Sequence, residues 1–157
     1  MAITETELAN ARKAWGDALI AIAKAYETDG IAKARKVAEG VLDAAYGYDF
    51  GPVLFKPTLA SGEHTFRTTR KGALSYFVGH DADYPLDGGF GIKGWRQVES
   101  ETAAVFINGD IAMWMGWVAM TSKDGLITKV DKSFGYRKDQ EGTLRIILHH
   151  SSLPYQP

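Results

Sequence analysis

The sequence predicts one soluble α+β domain in which N-terminal helices close one end of a curved antiparallel β-sheet. Three observations carry this reading. Two consecutive stretches with apolar residues three and four apart come first, alternating stretches divided by tight-turn residues fill the second half, and no strand–helix–strand rhythm lies between them. Helices segregated from a meander of strands imply two packed layers and argue against a parallel sheet. The expected domain covers residues 1–157, with helices at about 5–45, a short helix at about 68–78 and the meander at about 95–152.

The first helix is written in Leu8, Ala11, Trp15, Ala18, Leu19, Ile22 and Tyr26, which share one helical face with Trp15 as anchor. After Asp29-Gly30, the same spacing resumes from Ile31 to Ala45 through Ala34, Val37, Ala38, Val41 and Leu42. Gly47, Gly51, Pro52 and Pro57 then break helical structure around Val53-Leu54-Phe55, a short strand. Thr68 to Gly79 has the marks of a capped helix: Thr68 or Thr69 as N-cap, Leu74 and Phe77 inward, and a glycine past its end. His80 to Lys93, with Pro85, Gly88, Gly89 and Gly91, reads as a mobile loop or lid. Four strands follow, at Gln97–Ile107, Ile111–Thr121, Leu126–Lys138 and Thr143–Ser152, joined through Asn108-Gly109, Asp124-Gly125 and Glu141-Gly142.

Composition narrows the chemistry. With no cysteine there is no disulfide framework, thiolate metal site or cysteine nucleophile, so reactive groups must carry oxygen or nitrogen. A net charge of −1 lacks the basic footprint of a nucleic-acid binder. The run Ile111 to Val118 is far shorter than the roughly 20 residues that cross a bilayer. The acidic start at Glu5 and Glu7 does not resemble a secretory signal.

Side chains that could do chemistry are few. His149 and His150 are neighbours on a strand, so their rings point to opposite faces and cannot clip one metal ion together. Strict alternation groups His150 with Leu144, Ile146 and Leu148, which predicts that His150 faces inward; such a histidine is most often a packed, hydrogen-bonded group. His64 and His80 lie in polar loop sequence. Among the scattered carboxylates, Asp81, Asp83 and Asp87 read as solvated loop charges, and Asp131 is the one strand carboxylate worth nominating as a base. Met113, Trp114, Met115 and Trp117 place large side chains on both faces of one strand, as a buried central strand would.

Beyond these patterns, Leu144-Arg-Ile-Ile-Leu-His-His-Ser-Ser-Leu-Pro154 resembles the closing strand of the nuclear transport factor 2-like and polyketide-cyclase-like families, which implies a cone-shaped fold. Three further segments resemble the cyanobacterial and algal branch of the iota-class carbonic anhydrases. They are Phe55-Lys-Pro-Thr-Leu-Ala60, Phe66-Arg-Thr-Thr-Arg-Lys-Gly-Ala-Leu-Ser-Tyr-Phe-Val-Gly79, and Lys129 to Tyr136 with its Ser-Phe-Gly-Tyr. The likeness runs from about Ala11 to Tyr155, with helix, loop and strand motifs in family order. It implies reversible hydration of carbon dioxide to bicarbonate with no metal and no cofactor, in a pocket lined by a threonine, a tyrosine and a serine hydroxyl. By matching motifs these are Thr58, Tyr76 and Ser151. Another branch of the class carries His-His-His-Ser and a metal dependence; Leu148 occupies that first position here, which sides with the metal-free branch. A sheet folded around helices on one face leaves the other needing cover, which with Met and Trp on both parities suggests a homodimer; the resemblance implies carbon dioxide and bicarbonate as partners, and charge and hydropathy exclude nucleic acid and membrane. The expected location is the cytoplasm, or a plastid if the chain is an excised domain of an algal protein.

Protonated hydroxyls are poor bases, so on this reading they position water and carbon dioxide while another group takes the proton. Parity nominates His150; a tyrosine with a lowered pKa is the other choice. Two rival functions share the fold: a non-catalytic dimeric binding or association domain, and an isomerase or cyclase with a base such as Asp131 deep in its cavity.

Overall fold

The computed structural model describes residues 1–157. Its elements are helices α1 (Glu5–Asp29), α2 (Ile31–Ala45) and α3 (Arg70–Val78), and strands β1 (Leu54–Lys56), β2 (Trp95–Asn108), β3 (Ile111–Ser122), β4 (Ile127–Lys138) and β5 (Leu144–Ser152). Two single 3₁₀ turns sit at Gly62–His64 and Phe90–Ile92.

Local chemistry accounts for the helix ends. Thr4 caps α1 in a reciprocal box: its hydroxyl accepts from the Glu7 amide at 3.1 Å and the Glu7 carboxylate accepts from the Thr4 amide at 3.0 Å. Gly30 ends α1 and opens α2 at φ 85, a backbone region that a side chain rarely tolerates. Thr69 caps α3 and Gly79 stops it. Leu8, Trp15, Leu19 and Ile22 bury one stripe of α1, as their spacing requires. No helix is long and apolar enough to cross a membrane.

The five strands run in the order β1-β5-β4-β3-β2. Consecutive strands of the meander are antiparallel, but β1 pairs with β5 in parallel, Phe55 opposite His149. This parallel pair departs from the all-antiparallel expectation; from β1 the chain passes through α3 to β2 at the far edge, and the meander brings it back to β5 beside β1. The sheet's inner face carries Trp114, Val118 and Met120 of β3 and Val130, Lys132, Phe134 and Tyr136 of β4, all buried against the helices.

Two other expectations are corrected. Large side chains on both faces of β3 do not signal two-sided burial: Met113, Met115 and Trp117 are exposed on the outer face. The segment His80–Lys93 is anchored rather than free. Asp87 is held by Arg67, Phe90 is buried, and the Trp95 indole N–H donates to the Phe90 carbonyl at 2.6 Å. Glycines there let the loop pack closely: a side chain on Gly91 would meet the Phe77 carbonyl oxygen at 2.7 Å.

Candidate active site

A register shift in β5 decides which side chains enter the interior. Gly135 pairs with Leu148 but the next residue, Tyr136, pairs with Ile146, so Ile147 is an extra residue on β5. Before this bulge Ile146 faces inward; after it, His149 and Ser151 do. The parity that nominated His150 is therefore reversed: His150 is exposed on the outer face, its Nε2 3.3 Å from the Ser152 hydroxyl, and His149 is buried. A bulge leaves no mark in the hydrophobic pattern of a nine-residue strand, so sequence reasoning had no means to place it.

The three hydroxyl residues do come together. Thr58 lies in the turn after β1, Tyr76 on α3 and Ser151 on β5. The Thr58 and Ser151 hydroxyls are 2.6 Å apart. The Tyr76 oxygen accepts from the amide N–H of Leu59, next to Thr58, at 3.2 Å. Thr58 and Tyr76 share the wall of a small cavity of about 10 Å³ with Trp15, Phe55, Phe77, Lys132 and His149. That is space for about one water-sized molecule. Ser151 stands behind Thr58 and holds its hydroxyl in place. Phe77 lines the cavity, whereas Trp114 packs against Phe134, and Met113 and Trp117 are on the other side of the sheet. A much larger groove, about 690 Å³, lies on the surface beside Asp43, Thr68 and Arg145, away from the hydroxyl cluster.

The cavity's remaining polar groups form a buried chain. The Trp15 indole N–H donates to the Tyr46 hydroxyl at 3.0 Å; that oxygen is 2.8 Å from His149 Nδ1; and His149 Nε2 is 2.8 Å from Lys132 Nζ. The imidazole is stacked on Phe55 at 4.5 Å and tilted on Phe134 at 4.6 Å. Burial in this aromatic box, with Lys132 nearby, pushes the His149 pKa well below 6.5, so the ring is neutral. Burial likewise raises Tyr46 well above 10 and pushes Tyr76 up to about 12, the Leu59 and Thr58 hydrogen bonds to Tyr76 offsetting only part of it. Neither tyrosine is a base at neutral pH, contrary to one expectation from the sequence.

Lys132, Trp15, Tyr46 and His149 were not singled out by sequence reasoning as members of one site. A signal for Lys132 existed: it interrupts an inward row of Val130, Phe134 and Tyr136, where a lysine is out of place. Asp131, its neighbour, is half-buried on the outer face, and no carboxylate lines the cavity. No group of three or more His, Cys, Asp or Glu residues is arranged to hold a metal ion.

Helices folded over one face of a curved sheet give the chain the fold of the nuclear transport factor 2-like proteins. A solved protein of that class from Pseudomonas putida KT2440 superimposes with a TM-score of 0.59 over 97% of this chain and 87% of its own, at 14% identity. By sequence the chain belongs to the metal-independent carbonic anhydrase family, whose model matches residues 6–153. A metal-independent carbonic anhydrase from Nostoc sp. (strain PCC 7120 / SAG 25.82 / UTEX 2576) is 57% identical over 155 residues, 99% of this chain and 76% of that one. The crystal structure of an iota-carbonic anhydrase from a cyanobacterium, complexed with bicarbonate, matches with a TM-score of 0.98 over 99% of this chain and 95% of that one, at 57% identity.

Proposed function

We propose that this protein catalyses the reversible hydration of carbon dioxide to bicarbonate without a metal, at the cavity walled by Thr58 and Tyr76. The observation that carries the reading is the meeting of three protonated hydroxyls from three distant elements, two of them on the wall of a small, mostly aromatic cavity. Family membership and the bicarbonate in the cyanobacterial structure support it.

The hydrogen-bond arithmetic suits a nascent anion. The Tyr76 oxygen accepts from Leu59, so its own hydrogen is free to donate. Ser151 donates to Thr58 and Thr58 to Tyr76, so these three hydroxyls use two of their hydrogens among themselves and leave that of Tyr76 to donate. One O–H donor, on Tyr76, is thus preset for the negative charge that develops on oxygen as water adds to carbon dioxide. The aromatic walls admit a small apolar gas and, by excluding bulk water, strengthen that bond. The absence of a carboxylate from the cavity speaks against the isomerase alternative.

The exposed outer row Phe106, Met113, Met115 and Trp117 supports pairing with a second copy of this chain through the sheet's outer face. The activity is tested by stopped-flow hydration of carbon dioxide with a pH indicator, on protein dialysed against a chelator and checked for metals by elemental analysis. Turnover in the metal-free sample supports the reading. Turnover only after zinc or manganese is restored, or none at all, overturns it.

A further inference from the structure

Hydrating carbon dioxide releases a proton, and the hydroxyls described above cannot take it. Three cationic side chains are buried in this protein: Arg67, Lys132 and Arg145. Arg67 has Asp87 at 2.6 Å and Arg145 has Asp49 at 2.7 Å, whereas Lys132 has no carboxylate within ion-pair distance. Its one polar contact is His149 Nε2, and its Nζ lies 4.6 Å over the Trp15 ring. Lys132 stands directly opposite Ser151 across the β4–β5 ladder, so the two residues are cross-strand neighbours on the inward face. It shares the cavity wall with Thr58 and Tyr76.

We propose that the neutral amine of Lys132, backed by the imidazole of His149, is the base that takes the proton from the attacking water; this rests on the carbonic anhydrase reading above. In the step, a water O–H bond breaks and an Nζ–H bond forms. The water oxygen bonds to the carbon of carbon dioxide, and a C=O π pair moves onto oxygen, giving bicarbonate held by the Tyr76 hydroxyl. The Lys132 ammonium then passes its proton to solvent buffer.

The surroundings fit that task. An ammonium has no lone pair, so once protonated Lys132 donates to His149 Nε2, which makes Nδ1 the protonated nitrogen, donating to Tyr46. Because His149 stays neutral, it can accept that bond without adding a second charge to the box. The charged groups acting on Lys132 are Lys56 from β1, which disfavours its ammonium, and Asp131 from β4, which favours it; Tyr46 and Tyr76 stay protonated. Burial is the largest influence and, with Lys56, lowers Lys132 from 10.5 to about 7, where an amine is both available and basic enough.

The test measures hydration by metal-free wild-type protein and Lys132→Met across pH 6 to 9.5, together with a carbon-13 NMR titration of lysine Cε in the wild type, assigned by the variant. Lys132→Met is expected to lose about 10²- to 10⁴-fold in kcat/KM, and with it the rise in rate centred near pH 7. Lys132 is expected to titrate near neutrality. Loss of less than about threefold in a folded variant, or a Cε signal still protonated at pH 9.5, overturns the proposal while leaving the wild-type activity intact. Absence of wild-type turnover would instead strike the functional reading on which it rests.

Discussion

Arg67 and Lys132 are equally buried, at 3% exposure each, and both lie close to Tyr76, yet they are solvated by the protein in opposite ways. Arg67 meets Asp87 through two hydrogen bonds, of 2.6 and 2.7 Å, and also donates to the Gly72 and His64 carbonyls. Burial acts to raise the Asp87 carboxyl, but the Arg67 and Ser75 hydrogen bonds outweigh it and hold the pKa below its usual value. Every charge there is matched. Lys132 has one neutral partner and an aromatic face. A matched buried pair locks structure, here the 81–89 loop onto α3 beneath Tyr76; an unmatched buried amine is destabilising unless it sheds its proton, which is the condition for a base.

The comparison can be broken at its structural end first. Arg67→Met strands Asp87 in the interior and is expected to remove about 3–5 kcal/mol of stability, read by urea unfolding; a loss below about 1 kcal/mol would mean that the clamp does not hold the loop. At the catalytic end, Tyr76→Phe removes a hydroxyl from the cavity wall and is expected to lower kcat/KM by about 10²-fold or more with the fold intact. Ser151→Ala, which acts through Thr58, is expected to cost about tenfold. If both variants retain full hydration activity, the hydroxyl cluster is not the site.

The sharpest contrast is in the sign of a stability change. Lys132 has a folded pKa of about 7 against 10.5 for the free amine, so between those values the unfolded chain binds more protons, and stability rises with pH. Below about pH 7 the full penalty for burying the amine is present. Lys132→Met is therefore expected to be more stable than wild type at pH 6 to 7, by about 1–4 kcal/mol, the gap closing as pH rises toward 10.5. His149 works in the same direction at lower pH: its pKa is also lowered, so stability falls as pH drops below about 6.5, and His149→Phe should flatten that acid limb in thermal melts. The smallest effect is expected on the outer face. Met115→Lys should shift the species mass measured by light scattering toward monomer while changing monomer stability by no more than about 0.5 kcal/mol.

Much of this was legible beforehand. The helical spacing through Leu8, Trp15, Leu19 and Ile22, the glycine stop at Gly30, the Thr69 cap and the turns at Gly109, Gly125 and Gly142 are local signals, and each element formed within a few residues of where they placed it. Motif resemblance named Thr58, Tyr76 and Ser151, which the fold brings together. Asp87 was misread as a solvated loop charge because its partner, Arg67, lies 20 residues away and carries no local mark of burial.

What the sequence by itself determined, then, is the order of elements, the inward stripe of α1 through Leu8, Trp15, Leu19 and Ile22, and the chemical types available without cysteine, because these depend on spacing and composition. Only the tertiary structure decided which histidine of the pair is inside, since one extra residue at Ile147 reverses every side chain after it. It also decided that Lys132 would be left without a carboxylate while Arg67 was given one, because the pKa of a buried charge depends on neighbours brought from strands and helices far away in the chain.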